Sequence, residues 1–292
     1  MSLQLKPLHP IFVAEASGVD LKSPISDSDR KAINAAMNQY GVLVWREQFL
    51  SGEEQIEFSQ SFGELDIGLK RVFKRKERLA DERLIDISNV ALDGQLHQRD
   101  SAKNLSSFAN QLWHSDSSFM SPKAAYSMLQ SLVIPSEGGN TEFTDLRAAY
   151  DELTPALKQE LEGLSAEHYA LHTRILLGDD AYTDEQKKAI PPAIWPLIQT
   201  HPGSGRKLLF VGVHAQRIVD WPIAEGRIFL LDLLEHATQR HLVYSHKWTE
   251  GDLVMWDNRS TLHRGRRYDL NQRRELRRTT LNDTQQPELS AL

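Results

Sequence analysis

The chain has no cysteine among its 292 residues. That excludes a disulfide scaffold, a thiolate metal site and a thiol nucleophile, and it agrees with a cytoplasmic protein. Long apolar runs are lacking too. The longest, such as residues 208–213, fall well short of the roughly 20 residues needed to cross a bilayer, so no membrane association is expected. The N-terminus, from Met1 to Pro7, lacks the charged start and long apolar stretch of a secretion signal. Nor is there an excess of positive charge: the formal net charge is -6, which argues against a general nucleic-acid binder. Internal repeats and low-complexity tracts are absent. Hydrophobic residues make up 40% and charged residues 25%, a balance that predicts a packed globular chain and not a disordered one. Residues 1–292 read as one domain.

Helices are predicted early in the chain. Residues 27–37 form one, with Ser26 or Asp27 as N-cap and Ile33, Ala36 and Met37 on its apolar side. Ser51-Gly-Glu-Glu54 has the form of a capping box and opens another, running to about Phe62. Short strands are predicted at 11–15, 41–45 and 84–88. After Trp113 the pattern turns β-rich, with strands at 125–132, 141–144, 208–213 and 252–256. Helical inserts are expected at 146–163 and 224–238. Pro191, Pro192, Pro196 and Pro202 mark a rigid connection into the 208–213 strand. Several short strands with helices grouped in insertions predict a β-sandwich or barrel, mainly β, carrying helical decoration.

Of the eleven histidines, only His114 is followed two residues later by a carboxylate, Asp116. On a strand, residues i and i+2 share a side, so both can reach one ion. His263 lies just past the 252–256 strand and a turn-like Asp257-Asn258. Two imidazoles and a carboxylate make a facial triad that leaves open positions on a divalent iron. The basic stretch 264–278 either forms a nucleic-acid or solvated patch, or reads as a strand. With period two, Arg274, Leu276 and Arg278 share one face, and Arg273, Glu275 and Arg277 the other, where charges can pair at the surface. Arg274 and Arg278 would stand roughly 13 Å apart. Each would need an anionic partner, an arrangement suited to two small carboxylic acids. The charged stretch 69–103, with Lys70, Arg71 and Lys74 to Lys76, is either a solvated loop or a lid over an anion site.

These residues carry a resemblance. The strings Phe108 to Phe119 (FANQLWHSDSSF), Gly138 to Phe143 (GGNTEF) and Trp256 to Gly265 (WDNRSTLHRG), followed by Arg274 and Arg278, resemble the taurine/2,4-D (TauD/TfdA) dioxygenases. Within that family the likeness is to the 2,4-dichlorophenoxyacetate dioxygenase branch, and it runs nearly end to end. The resemblance implies a double-stranded β-helix, or jelly roll, with helices packed outside. It places His114, Asp116 and His263 on the Fe(II) ligands, and Thr141 and Arg274 on the distal carboxylate of 2-oxoglutarate. Arg278 falls on the substrate acid, with the Ser117 backbone N–H as helper and His214 facing the substrate. Arg71 falls where the phenoxyacetate branch has a lysine. The implied reaction consumes 2-oxoglutarate and O2 and hydroxylates the carbon between ether oxygen and carboxylate, giving a phenol, glyoxylate, succinate and CO2. Ascorbate is the implied activator, and a homo-oligomer is plausible for the family.

Two other acids, an alkylsulfonate or a sulfate ester, suit the same cations. From a different class, His168 and His172 at i and i+4 would share a helix face and suggest a zinc hydrolase. No glutamate lies between them to serve as general base.

Overall fold

In a computed structural model of the protein, residues 2–68, 77–178 and 182–284 are described. The strands are β1 (Gln4–Pro7), β2 (Ala14–Ser17), β3 (Val42–Trp45), β4 (Ile85–Ser88), β5 (Ala124–Val133), β6 (Thr141–Asp145), β7 (Ser165–His168), β8 (Ala193–Pro196), β9 (Ile198–Thr200), β10 (Lys207–Leu209), β11 (Ala215–Ile218), β12 (Val243–His246), β13 (Leu253–Asp257), β14 (Thr261–Gly265) and β15 (Glu275–Asn282). The helices are α1 (Asp27–Tyr40), α2 (Gly52–Gln60), α3 (Ala102–Phe108), α4 (Leu146–Asp151), α5 (Pro155–Leu161), α6 (His172–Leu176), α7 (Asp184–Ala189) and α8 (Ile223–Ala237).

A seven-stranded sheet runs in the order β1-β2-β3-β13-β5-β15-β4, and a three-stranded sheet in the order β12-β6-β14. Period-two alternation explains how the larger sheet is buried on both sides. In β3 and β13, Val42, Val44, Val254 and Trp256 face inward onto Phe143 of the smaller sheet. Leu43, Trp45, Leu253 and Met255 face outward onto Ile33 and Met37 of α1 and Ile56 and Phe58 of α2. Each such side chain contributes about 1.5–3 kcal/mol on burial. Beyond the smaller sheet, α4, α5 and α8 pack with β7, β8, β10 and β11 around Leu146, Trp195, Phe210 and Leu230. The result is a double-stranded β-helix with helices outside, as expected.

Local signals set the ends of the early helices. Ser26 caps α1 through Asp29 N, and Gly41, at φ +71°, ends it in a left-handed turn where a Cβ would meet Arg147 Nη2 at 3.0 Å. The Ser51–Glu54 capping box is formed in both directions, at 3.1 and 2.6 Å. Three expectations need correction. The 208–213 strand ends at Leu209. The proline-rich connection before it contains the short strands β8 and β9. Arg277 is not a surface charge, because α2 covers the outer face of β15. Its guanidinium donates to Gln55 Oε1 (2.8 Å), Leu50 O (2.7 Å) and Gln130 Oε1 (3.2 Å). Arg273 does pair with Glu275, which also binds Arg78 at 2.6 Å.

Candidate active site

His263 sits in mid-β14, opposite Phe143 of β6. A β-bridge with reciprocal backbone hydrogen bonds of 3.0 and 2.9 Å draws His114 beside it. Asp116, two residues on, begins a turn, yet its carboxylate reaches both rings: Oδ1 lies 3.9 Å from His114 Nε2 and Oδ2 lies 3.8 Å from His263 Nε2. Among the described residues these three form the one group of histidine and acidic side chains placed to hold a metal ion, with ligand atoms all within 4.8 Å of one another.

The surroundings prepare the group for a cation. His114 Nδ1 stands 2.7 Å from Leu112 O, which can only accept; the proton is therefore on Nδ1 and the Nε2 lone pair faces the site. Burial holds His114 below its ordinary pKa and His263 well below, so both rings are neutral. Burial alone would raise the Asp116 carboxyl. The Arg278 guanidinium, with the Ser127 hydroxyl, holds it far below the usual carboxylate range. Asp116 Oδ1 accepts from Arg278 Nη1 at 2.5 Å and Oδ2 from Ser127 Oγ at 2.7 Å. A neutral two-histidine, one-carboxylate set suits a divalent first-row ion.

Two cavities meet at this group, sharing His114 and Arg278 in their walls. The smaller, about 280 Å³, is lined by Thr141, Trp256, His263, Tyr268 and Arg274. Arg274 is buried, donates to Gly139 O at 3.1 Å, and lies 5.3 Å from the Tyr268 ring centroid. No carboxylate pairs with it among the described residues, and its Nε has no hydrogen-bond partner. Burial pushes its pKa down to about 10, a measure of how far this cation is desolvated. Close approach at Gly139 explains the glycine: a Cβ there would lie 3.1 Å from Arg274 Nε, on a backbone at φ +68°. The Thr141 hydroxyl accepts from Trp248 Nε1 at 3.0 Å, and since an indole only donates, its own proton is free to point elsewhere.

The larger cavity, about 730 Å³, is lined by Ser117, Phe119, Met120, Lys103, Arg174 and His214 among others. The Phe119 and His214 rings meet edge to face at 4.9 Å, and His214 lies 6.0 Å from His114. Burial holds His214 well below its ordinary pKa, so this ring is neutral too. Ser117 adopts a left-handed φ of +51°, and its hydroxyl donates to Asp66 Oδ2 at 3.1 Å. Arg71 lies outside the described residues.

The structure thus brings together His114, Asp116, His263, Thr141, Arg274, Arg278, Ser117 and His214. His168 and His172 do not share a helix: the first ends β7 and the second opens α6. His168 is fully buried, stacked on Phe210 at 5.3 Å, with neither ring nitrogen hydrogen-bonded. Sequence reasoning missed Tyr268, Trp248, Ser127 and Asn258. For Ser127 strand β5 offered no distinguishing signal, since Tyr126 and Ser131 carry hydroxyls in the same strand, and for Asn258 the signal was its place in the turn before His263.

The comparisons agree with this geometry. The family described as "Taurine catabolism dioxygenase TauD, TfdA family" matches residues 4–280. An alpha-ketoglutarate-dependent 2,4-dichlorophenoxyacetate dioxygenase of Cupriavidus pinatubonensis is 55% identical, covering 97% of this chain and 99% of its own. An (S)-phenoxypropionate/alpha-ketoglutarate-dioxygenase of Sphingobium herbicidovorans is 34% identical, over 94% and 92% of the two chains. The crystal structure of AAD-2 in complex with Mn(II) and N-oxalylglycine superposes with a TM-score of 0.90 at 42% identity, covering 97% of this chain and 98% of that one. The chain belongs to the taurine catabolism dioxygenase TauD, TfdA family.

Proposed function

We propose that this chain is an Fe(II)- and 2-oxoglutarate-dependent dioxygenase, one catalytic domain over residues 1–292, acting on a phenoxyacetate-type acid. The observation that carries the reading is a two-histidine, one-carboxylate group where two cavities meet, with Arg274 buried in the wall of the smaller and the partly buried Arg278 in the walls of both. The 55% identity to a 2,4-dichlorophenoxyacetate dioxygenase supports the substrate class.

His114, Asp116 and His263 would hold the iron, whose chemistry is the activation of O2 coupled to oxidative decarboxylation of 2-oxoglutarate. Arg274 and the Thr141 hydroxyl anchor the far carboxylate of 2-oxoglutarate in the smaller cavity. In the larger cavity Arg278 binds the substrate carboxylate, with the Ser117 backbone N–H assisting; Arg71, outside the described residues, is assigned to the same acid on the sequence resemblance alone. His214 and Phe119 stand where a ring would lie. Fixing the acid by its carboxylate turns the adjacent carbon toward the metal, and this positioning is the protein's main contribution to rate. One oxygen of O2 ends in succinate and the other in the hydroxyl on that carbon. The resulting hemiacetal releases the phenol and leaves glyoxylate.

The test is succinate release under air with Fe(II), ascorbate and 2-oxoglutarate, with and without a phenoxyacetate. Succinate and a phenol formed together, only with every component present, support the reading. Stimulation by taurine or a sulfate ester instead moves the substrate and keeps the chemistry. No succinate with any acid, despite bound iron, overturns it.

A further inference from the structure

Asp116 is the one carboxylate of the proposed metal group, and a carboxylate on a short turn needs something to hold its plane. Asn258, wholly buried in the turn between β13 and β14, is linked to Asp116 by two routes, directly to its backbone N–H and through Ser127 to its carboxylate. Its Oδ1 accepts from Asp116 N at 3.1 Å and from Trp256 Nε1 at 3.0 Å. Its Nδ2 lies 2.9 Å from Ser127 Oγ, whose hydroxyl in turn reaches Asp116 Oδ2 at 2.7 Å. Its backbone carbonyl accepts from Ser115 Oγ at 2.7 Å.

The direction of every bond in this chain follows from which groups can donate. A backbone N–H and an indole N–H have only protons to offer, so the atom that meets both must be the amide oxygen. The amide nitrogen therefore faces Ser127 and donates to it. Ser127 Oγ, having accepted that bond, points its proton at Asp116. Ser127 also has Thr280 Oγ1 at 3.3 Å, a longer contact than the carboxylate. The same turn carries the chain into β14 and His263, so Asn258 links the strand of one metal ligand to the backbone and carboxylate of another.

We infer that Asn258, acting through Ser127, is the positioning residue that sets the Asp116 carboxylate for metal binding. The inference rests on the metal-site reading above. It assigns Asn258 no contact with substrate. Partners that orient a metal ligand typically change metal affinity about 10- to 100-fold when removed.

The experiment is an Mn(II) titration followed by electron paramagnetic resonance, on wild type, Asn258→Ala, Ser127→Ala and Ser127→Thr, alongside thermal melts without metal. Expected are Mn(II) dissociation constants raised about 10- to 100-fold in both alanine variants, with Ser127→Thr, which keeps the hydroxyl, close to wild type. The alanine double variant should weaken binding by less than the product of the single effects, because the two residues act in series. Folded alanine variants that bind Mn(II) as tightly as wild type, whatever their melting temperatures, overturn the inference. So does a Ser127→Thr variant as impaired as Ser127→Ala. Failure of the wild type to bind Mn(II) at all would instead strike the metal-site reading on which it depends.

Discussion

The two cavities that meet at His114 are built differently. The smaller is walled largely by strand residues and their immediate flanks: Thr141 opens β6, His263 is in β14, and Arg274 precedes β15. It is narrow and centred on a desolvated arginine without an acidic partner among the described residues. Much of the larger is walled by turns and short helices, from Asp66 to Gly68, at Ala109 and Asn110, through Phe119 and Met120, and across Ala170 to Arg174. Hydrogen-bonded strands hold side chains to a single geometry, whereas loops tolerate change. On the reading proposed above, the contrast sets the 2-oxoglutarate cavity among hydrogen-bonded strands and the substrate cavity among segments that tolerate change.

Removing the proposed metal ligands should have the largest effect. His114→Ala and Asp116→Ala are expected to reduce iron-dependent turnover to background in a protein that still folds, checked by succinate assay and circular dichroism. The two arginines come next: Arg274 lines only the smaller cavity, whereas Arg278 lines both. Truncating one partner of a buried charge pair costs about 2–5 kcal/mol. Arg274→Ala should therefore raise KM for 2-oxoglutarate about 30-fold or more with little change for the organic acid. Arg278→Ala should chiefly raise KM for the organic acid. Steady-state kinetics showing the opposite pattern would exchange the roles assigned to the two pockets.

A smaller effect lies behind the wall of the larger cavity. His168 is buried without a hydrogen bond, and burial pushes its pKa down to about 3. An unfolded chain takes up this proton below about pH 6.5, whereas the folded one resists until near 3. Stability is thus complete above pH 6.5 and falls as the pH drops, by about 1.4 kcal/mol per unit. Between pH 8 and pH 5, wild type should lose about 2 kcal/mol more than His168→Phe, measured by denaturant unfolding at the two pH values. An equal loss would mean that His168 finds a partner. The smallest effect concerns the ring. Phe119→Ala should lower kcat/KM for a phenoxyacetate about 3- to 10-fold, the worth of one aromatic contact, and leave KM for 2-oxoglutarate unchanged. A shift in both would show that the cavities are not independent.

Strand pattern and local caps were legible because they depend on neighbours in the chain. Ser26, the Ser51–Glu54 box and the doubly buried β3 lie where periodicity put them. The histidine and carboxylate at i and i+2 do come together, but not as strand neighbours: His114 makes an isolated bridge to His263 and Asp116 begins a turn. Arg277 was misplaced because a two-residue period says which side of a strand a residue takes but not what covers that side. Here α2 supplies Gln55, which lies 222 residues away in sequence. The zinc reading failed similarly: spacing of four suggests a shared helix face only if the segment is helical, and His168 belongs to β7.

By itself the sequence determined the kind of chemistry available: a chain without thiols, two imidazoles and one carboxylate that could hold a metal, and two arginines four residues apart that could each hold an acid. Tertiary structure decided how those groups act together. It joined Arg278 to Asp116 across 162 residues and Asn258 to Ser127 across 131, and it divided the space around His114 into a tight cavity and a roomy one. The physical reason is that ligand type is a property of each side chain, whereas the direction of a hydrogen bond and the shape of a cavity exist only once distant strands have paired.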